Sequence, residues 1–335
     1  MASRVRLGLV GLNNQGQEHL SGFAECQEAS LVAICDQDPD LLADTATAHT
    51  QARPYLSIED LLDHPGLEGL ILALPHDVYA KHWNRLAERG LPILKEKPLG
   101  RSLSEASRFV RAVAVSGAFL QTAIQRRTHP SYHYLKQALE GRRILEMDLQ
   151  LHLGRGTEER AQGWRGDFDR AGGGMLLDGG YHLVDLAQFL IGPFELVSAT
   201  LWRDGQLTTP EQLEDEASVI GCTRGTWLKI HCMRGGRPDT VGHLVKHECV
   251  TVETDAGRYV ANRERVTLDG VEIFRCGRDW PQAMARQLDS FATNIRKGAC
   301  DEPELWSQLP AMRLIEEAYA LARGTNPLGS GRSNE

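Results

Sequence analysis

Short apolar runs without polar alternation, separated by amphipathic stretches, fill the first 124 residues of the chain. The stretches between the runs predict helices, at Gln17–Glu25, Ile58–Leu62, Val78–Arg89 and Ser104–Ser116. The runs themselves predict buried strands, at Val5–Val10, Ser30–Cys35, Gly69–Leu74, Pro92–Leu94 and Ala118–Ala123. Such strands alternating with helices are typical of a parallel sheet covered on both faces. This part is therefore predicted to be an α/β domain with a doubly wound sheet.

In the second half, strand-like runs follow one another with short turns between them. Gly-containing turns such as Arg224-Gly225 and Asp269-Gly270 join consecutive runs, as in hairpins. The runs are Ile144–Leu153, Leu196–Trp202, Ala217–Cys222, Thr226–Met233, Glu248–Thr254, Arg258–Val260 and Val266–Phe274. Helices are predicted at Tyr132–Leu139, Trp280–Arg296 and Leu305–Ala322. This half is therefore predicted to be an α+β domain with a mainly antiparallel sheet.

The chain length supports a division into two domains. At 335 residues, the chain exceeds the size of one ordinary hydrophobic core. We predict a first domain at residues 1–124 and a second at residues 125–323. Residues 324–335 are polar and Gly-containing, which predicts a disordered tail.

Composition and charge exclude several classes of partner. The formal net charge of −8 and the lack of a basic block argue against nucleic acid. No apolar run reaches membrane-spanning length and the first residues do not have the layout of a signal peptide, so we expect a cytoplasmic protein. The seven cysteines are scattered without a Cys-x-x-Cys pair, which predicts neither a disulfide framework nor a metal site.

A glycine-containing turn lies between the first strand and the first helix. It reads Gly11, Leu12, Asn13, Asn14, Gln15, Gly16. Strand, glycine turn and helix in this order are the context of the dinucleotide-binding fingerprint. Gly11 and Gly16 hold the first and third glycine positions, whereas Asn13 replaces the middle glycine. Because Asn tolerates left-handed backbone better than most residues, we expect the turn to form with less room for a pyrophosphate.

An acidic residue ends the second strand. Asp36 lies twenty positions beyond Gly16, where the fingerprint has the carboxylate that binds the adenosine ribose. A carboxylate there repels a 2′-phosphate, and no Arg or Lys follows directly. The sequence therefore predicts NAD as the cofactor, with NADP less favoured.

Two further segments carry candidate chemistry. Lys97 follows the strand Pro92–Leu94 within Lys95-Glu96-Lys97-Pro98, at the sheet edge where doubly wound folds bind ligands. Pro98 restricts the backbone of Lys97 and allows a cis peptide.

In Gly172–Leu186, Asp178 and His182 stand four residues apart at the start of a helical pattern. Asp178 is also placed to cap that helix. His182 is suited to proton transfer near neutral pH, and the preceding glycines would allow a ligand to come close. The alternative is a capping Asp and a buried His without chemistry.

These segments, in this order, resemble the glucose-fructose oxidoreductase / inositol dehydrogenase (Gfo/Idh/MocA) family. The resemblance includes Glu96-Lys97-Pro98 and the Gly-Gly-Gly-x-Leu-Leu-Asp-x-Gly-x-His segment that ends at His182. It implies a Rossmann NAD-binding domain and an open-faced sheet domain for substrate binding and assembly into a homodimer or homotetramer. Trp202, Trp227 and Cys232 are candidates for the open face.

The resemblance also implies roles for individual residues. Lys97, Asp178 and His182 would form the catalytic set. Tyr79 stands where the family often has a histidine near the cofactor. The cofactor-binding residues would be Gly11, Leu12, Asn13, Gln15, Gly16, Asp36, Leu74, Pro75, Tyr79, Glu96, Lys97, Gln125, Trp164 and Arg165.

The expected chemistry is reversible oxidation of a secondary alcohol on a sugar, sugar derivative or cyclitol, with NAD as the redox partner. His182 would accept the hydroxyl proton, Lys97 would stabilise the developing alkoxide, and Asp178 would order the site. Two alternatives remain open at this stage. One is a non-catalytic NAD-binding regulator or scaffold, and the other is an enzyme that uses NAD in elimination or glycoside cleavage.

Overall fold

The computed structural model describes residues 3–154, 163–235, 246–277, 280–298 and 308–324. The chain forms two compact units. The first contains residues 1–100, 104–128 and 279–309, and the second contains residues 101–103, 129–278 and 310–335. The predicted tail therefore lies, apart from Gly324, outside the described residues.

The first unit contains a six-stranded parallel sheet in the order β3-β2-β1-β4-β5-β6. Its strands are β1 Val5–Val10, β2 Ala29–Cys35, β3 Arg53–Tyr55, β4 Gly69–Leu72, β5 Ile93–Glu96 and β6 Leu120–Ala123. The helices between them are α1 Asn14–Glu25, α2 Pro39–Ala48, α3 Ile58–Leu62, α4 His76–Glu88 and α5 Leu103–Val115. The strand order reverses at β1, which confirms the predicted doubly wound Rossmann sheet.

The second unit contains a nine-stranded sheet in the order β15-β14-β13-β12-β7-β11-β10-β8-β9. Among the strand pairs of this sheet that the structure describes, only β7–β11 is parallel, so the predicted mainly antiparallel sheet is confirmed. The strands are β7 Ile144–His152, β8 Glu195–Arg203, β9 Gln206–Leu207, β10 Glu216–Thr223, β11 Thr226–Met233, β12 His247–Thr254, β13 Gly257–Ala261, β14 Arg265–Leu268 and β15 Val271–Arg275. The described residues also form the helices α6 Pro130–Leu139, α7 Phe168–Ala171, α8 Tyr181–Ile191, α9 Trp280–Lys297 and α10 Gln308–Ala322.

Helix α9 belongs to the first unit, so the predicted domain boundaries are wrong at this point. It packs against α1, where a Cβ added to Gly22 would lie 2.7 Å from Cβ of Met284. Phe291 of α9 also meets the ring of Phe119 at 5.6 Å between centroids. The periodicity of α9 indicates an apolar face but not which core that face joins.

The run Val266–Phe274 was predicted as one strand, although a hairpin turn was also predicted at Asp269-Gly270 within it. Asp269 and Gly270 have φ values of 50° and 81°, and β14 and β15 pair with each other in antiparallel register. The run is therefore a hairpin around the Asp269-Gly270 turn, because left-handed backbone at both turn positions matches the twist of the flanking strands.

Side chains of β11 alternate between two environments. Leu228 and Ile230 are buried, whereas Trp227 on the opposite face is 55% exposed. Cys232 is fully buried on the same face as Leu228, so the expectation that it lies on the open face is wrong. Trp227 and Cys232 are five positions apart, and in a strand an odd separation puts side chains on opposite faces.

Among the described residues, no helix is long and apolar enough to cross a membrane. Within the same residues, no group of three or more His, Cys, Asp or Glu side chains is placed to hold a metal ion.

Candidate active site

The turn after β1 requires glycine at both of its ends. Gly11 has φ +89°, and a Cβ there would lie 2.3 Å from the carbonyl oxygen of Ala73. A Cβ on Gly16 would lie 2.1 Å from the carbonyl oxygen of Gly11. These are the tight turn and the close helix–strand packing that the first and third glycines of the fingerprint provide.

The middle position of the turn does not need glycine. Asn13 is the N-cap of α1 with φ −68° and ψ −170°, which is extended backbone, and its side chain forms no capping hydrogen bond. The expected left-handed backbone is therefore absent. Without a side-chain cap, the N-terminus of α1 keeps backbone N–H groups and the positive end of the helix dipole for an anion. This fits the pyrophosphate of a dinucleotide.

The carboxylate of Asp36 accepts hydrogen bonds from the turn and can still accept more. Its Oδ2 accepts the N–H of Leu12 at 2.8 Å, and its Oδ1 accepts the N–H of Asp38 at 3.0 Å. Each carboxylate oxygen can accept more than one hydrogen bond, so both oxygens can also accept ribose hydroxyls. The residues present therefore fit an adenine dinucleotide.

A buried lysine fixes the backbone on both sides of Lys97. Lys95 is 1% exposed, and its Nζ donates to the carbonyl oxygens of Glu96 at 2.9 Å and Pro98 at 2.6 Å. Burial lowers the pKa of Lys95 to about 7, although Glu105 and Glu96 act in the opposite direction. The Lys97–Pro98 peptide is cis, as the sequence allowed.

Tyr79 supports this lysine from inside the fold. Its ring centroid lies 3.6 Å from Nζ of Lys95. Its hydroxyl donates to the carbonyl oxygen of Leu72 at 2.9 Å and accepts the N–H of Leu74 at 3.1 Å. Because Tyr79 is 1% exposed and its hydroxyl is used within the fold, we assign it a structural role rather than the expected cofactor contact. Pro75 precedes helix α4 as its N-cap residue.

Glu96 connects three elements of the first unit. Its Oε1 lies 2.8 Å from Nε2 of His19, on α1, and accepts Nε2 of Gln125 at 3.4 Å. His19 is fully buried. Glu96 and Gln125 were predicted as cofactor ligands, and in the structure they contact each other. His19 was not predicted, because one histidine in a helix gives no signal of its partner.

Asp178 lies in a π-helical turn, Leu176–Gly180, directly before α8. His182 is the second residue of α8. The two side chains were predicted on one regular helix, and the structure instead inserts a wider turn at Asp178. Such turns are frequent at functional sites.

Two guanidinium groups hold Asp178. Its Oδ2 lies 3.3 Å from Nε of Arg165 and 3.3 Å from Nη2 of Arg234. Arg165 also lies over the ring of Trp164, with Cζ 4.2 Å from the centroid. Helix α8 has no side-chain cap, so the predicted capping role of Asp178 is wrong, because its carboxylate is engaged by arginines.

Arg234 was missed by the sequence analysis. It follows β11 directly and is 7% exposed, yet neither its neighbours nor its spacing distinguish it from a surface arginine.

The three residues proposed as the catalytic set come from both units. Lys97 belongs to the first unit, whereas Asp178 and His182 belong to the second.

Comparison with family models decides the family. Residues 5–124 match the model of the oxidoreductase family with an NAD-binding Rossmann fold, and residues 134–260 match the GFO/IDH/MocA C-terminal domain. The chain belongs to the GFO/IDH/MocA oxidoreductase family. Its NAD(P)-binding Rossmann domain and its second sheet domain are those of the family.

Relatives within the family are distant. The chain is 25% identical over 330 residues to inositol 2-dehydrogenase of Rhizobium meliloti, covering 94% of this chain and 96% of that protein. Inositol 2-dehydrogenase 4 of Saccharopolyspora erythraea is 26% identical over 329 residues, covering 94% of this chain and 93% of that protein. The match to the uncharacterized oxidoreductase YrbE of Bacillus subtilis spans 55% of that protein. Among solved structures, levoglucosan dehydrogenase in complex with NADH and levoglucosan has a TM-score of 0.83 at 20% identity, covering 96% of this chain and 98% of that one. KijD10 of Actinomadura kijaniata, a 3-ketoreductase in complex with NADP, has a TM-score of 0.79 at 17% identity, covering 95% and 98%.

Proposed function

We propose that this oxidoreductase catalyses NAD-dependent oxidation of a secondary alcohol on a sugar, sugar derivative or cyclitol, and the reverse reduction. The observation that carries the proposal is the held carboxylate of Asp178, four residues before His182 and between two arginines. A chain that only bound the cofactor would not need a carboxylate held in this way four residues before a histidine. The full-length match to an inositol 2-dehydrogenase supports a polyol substrate.

In this proposal, His182 accepts the proton of the substrate hydroxyl, and a placed base of this kind contributes roughly a hundred- to ten-thousand-fold in rate. Lys97, whose flanking carbonyls Lys95 fixes, stabilises negative charge on the substrate oxygen. Asp178 accepts a hydrogen bond from a neighbouring substrate hydroxyl. Arginines hold its carboxylate in place, and a carboxylate oxygen can accept more than one hydrogen bond. The nicotinamide cofactor, when bound, supplies the redox chemistry.

We further propose that NAD is preferred to NADP. Asp36 supports this preference, because the 2′-phosphate that NADP carries on its adenosine ribose would face the carboxylate of Asp36. Gln37 and Asp38 add no cation to offset that repulsion. The other proposed cofactor-binding residues of the turn are Leu12, Asn13 and Gln15, with Leu74, Pro75 and Trp164 elsewhere.

We also propose that the open face of the second sheet forms the contact in a homodimer or homotetramer. Trp227 is 55% exposed and Ile220 is 39% exposed on this face. Large exposed apolar side chains on one surface are typical of interaction sites.

The proposal is tested by incubating the protein and NAD with a panel of polyols, sugars, sugar phosphates and nucleotide sugars while recording the full absorption spectrum. Net accumulation of NADH is expected with at least one polyol or sugar. His182→Ala should reduce turnover at least a hundredfold and leave the Kd of NADH within about twofold.

Other outcomes would contradict the proposal in distinct ways. Transient reduction of bound cofactor without net NADH would indicate elimination or glycoside cleavage. No spectral change with any compound would favour a regulator or scaffold, and unchanged turnover in His182→Ala would remove the assigned base.

A further inference from the structure

A buried carboxylate lies beneath the turn that carries Asp178. Glu214, just before β10, is 1% exposed. Its Oε2 accepts the N–H of Gly174 at 3.2 Å, and its Oε1 accepts the N–H of Leu176 at 2.9 Å. Its own backbone oxygen accepts the N–H of Met175 at 2.8 Å. A single residue forty positions away therefore binds three successive amides of this turn.

Tyr319 of α10 completes the arrangement. Its hydroxyl donates to Oε1 of Glu214 at 2.9 Å and accepts the N–H of Leu177 at 3.2 Å. The next amide, that of Asp178, donates to the carbonyl oxygen of Gly174 at 3.0 Å and so begins the helical ladder. The first four N–H groups of a helical segment have no partner within it. Here Glu214 and Tyr319 satisfy all four, from Gly174 to Leu177.

The glycines before Asp178 are explained by the same pair. A Cβ on Gly173 would lie 2.4 Å from the hydroxyl oxygen of Tyr319, and one on Gly174 would lie 2.2 Å from the backbone oxygen of Glu214. At Gly172, with φ +84°, a Cβ would lie 2.4 Å from Cβ of Arg101. The space beside these glycines is therefore filled by protein, which corrects the expectation that they make room for a ligand.

We propose that Glu214 and Tyr319 are positioning residues, which cap the helical segment of Asp178 and His182 and thereby fix the direction of both side chains. This inference rests on the proposed function of Asp178 and His182. Neither Glu214 nor Tyr319 is a catalytic residue, because each acts through the backbone of residues 174–177.

The cap should respond to pH near neutrality. Burial raises the pKa of Glu214 to about 7, and its hydrogen bonds from Leu176, Tyr319 and Gly174 reduce that rise. Glu214 acts electrostatically on Tyr319 and Cys232, and burial raises the pKa of both. Arg234 also acts electrostatically on Cys232 and lowers the pKa of its thiol. A protonated Glu214 is a weaker acceptor, so the cap should loosen as pH falls through about 7.

The test is amide hydrogen exchange of residues 172–180 in the full-length protein, together with steady-state kinetics. Glu214→Gln and Tyr319→Phe should each speed exchange in this segment at least tenfold and lower kcat about tenfold, with the Kd of NADH within twofold. In the wild type, exchange corrected for its intrinsic pH dependence should rise as pH falls from 8 to 6. That dependence should be lost in Glu214→Gln.

A matched control uses another buried Tyr–Glu hydrogen bond of the same unit. The hydroxyl of Tyr132 donates to Oε1 of Glu248 at 2.6 Å. Tyr132→Phe should lower thermal stability without changing exchange in residues 172–180 or kcat. Unchanged exchange in both test variants, or equal acceleration in Tyr132→Phe, would overturn the inference. If the wild type forms no NADH with any substrate, the proposed function fails, while exchange still decides whether the cap exists.

Discussion

Nη2 of Arg234 lies 3.3 Å from Oδ2 of Asp178, and both side chains are largely shielded from water. Their side chains are 6% and 13% exposed. At such burial, removing one partner of an ion pair leaves the other charge less well compensated, which is costly. The carboxylate proposed to order the substrate therefore depends on an arginine from the end of β11.

The first prediction concerns this pair. Arg234→Leu should lower kcat about a hundredfold and leave NADH binding unchanged, because Asp178 would lose a buried arginine partner. Arg234→Lys should have a kcat between those of the wild type and Arg234→Leu. A lysine retains the positive charge but not the planar guanidinium fork. Steady-state kinetics and fluorescence titration with NADH provide the measurement. Arg142→Leu, at an exposed arginine, serves as the control, and equal effects in both Leu variants would argue against a specific role.

The second prediction concerns cofactor choice. Asp36→Ser should reduce the ratio of kcat/KM for NAD to that for NADP at least tenfold, because it removes the carboxylate that would repel a 2′-phosphate. Asp40→Asn, at an exposed acid of α2, should leave the ratio unchanged. A wild type that already uses NADP as well as NAD would contradict the assigned preference.

The third prediction compares two glycines on either side of Asp178. A Cβ on Gly174 meets rigid backbone, whereas the nearest atom to a Cβ on Gly179 is Cε of Met175, at 2.3 Å. The end of a methionine side chain can move. Gly174→Ala should therefore reduce the free energy of unfolding by about 3 kcal/mol, and Gly179→Ala by about 1 kcal/mol. Urea denaturation measures both, and the reverse order would show that the packing at Gly174 adjusts.

The fourth prediction concerns Lys95 and pH. Its pKa is lowered from 10.5 to about 7 by burial, so the unfolded chain binds a proton that the folded protein releases between these values. The free energy of unfolding should therefore rise with pH, by about 2 kcal/mol from pH 7 to pH 9. Lys95→Met should lack this increment when the two proteins are compared by urea denaturation. If the free energies of unfolding of the two proteins changed with pH in parallel, the ammonium group of Lys95 would not be desolvated in the folded protein.

The fifth prediction concerns assembly. Trp227→Glu should shift the mass measured by light scattering toward the monomer, because a charge would replace an apolar side chain on the open sheet face. Val115→Glu is the control, at a position that is 90% exposed at the end of α5. A monomeric wild type, or an unchanged mass in Trp227→Glu, would exclude this face as the contact.

The sequence by itself determined the fold class and much of the first unit. Strands without polar alternation that are separated by helices leave few options other than a parallel sheet. Gly11, Gly16 and Asp36 are recognised by their spacing along the chain. For the same reason, the sequence identified the segments around Lys97 and Asp178. The resemblance carried by those segments led to the family that the family models then confirmed.

Only the tertiary structure decided which side chains serve which others. Periodicity shows that α9 has an apolar face, but the shape match with Gly22 selects α1 as its partner. Likewise, Glu214 resembles a surface acid beside Asp215 and Glu216, yet folding brings it to three amides that begin forty positions earlier. Long-range pairing depends on geometry and desolvation rather than on local spacing, so Arg234, Glu214 and Tyr319 carry no signal in the sequence.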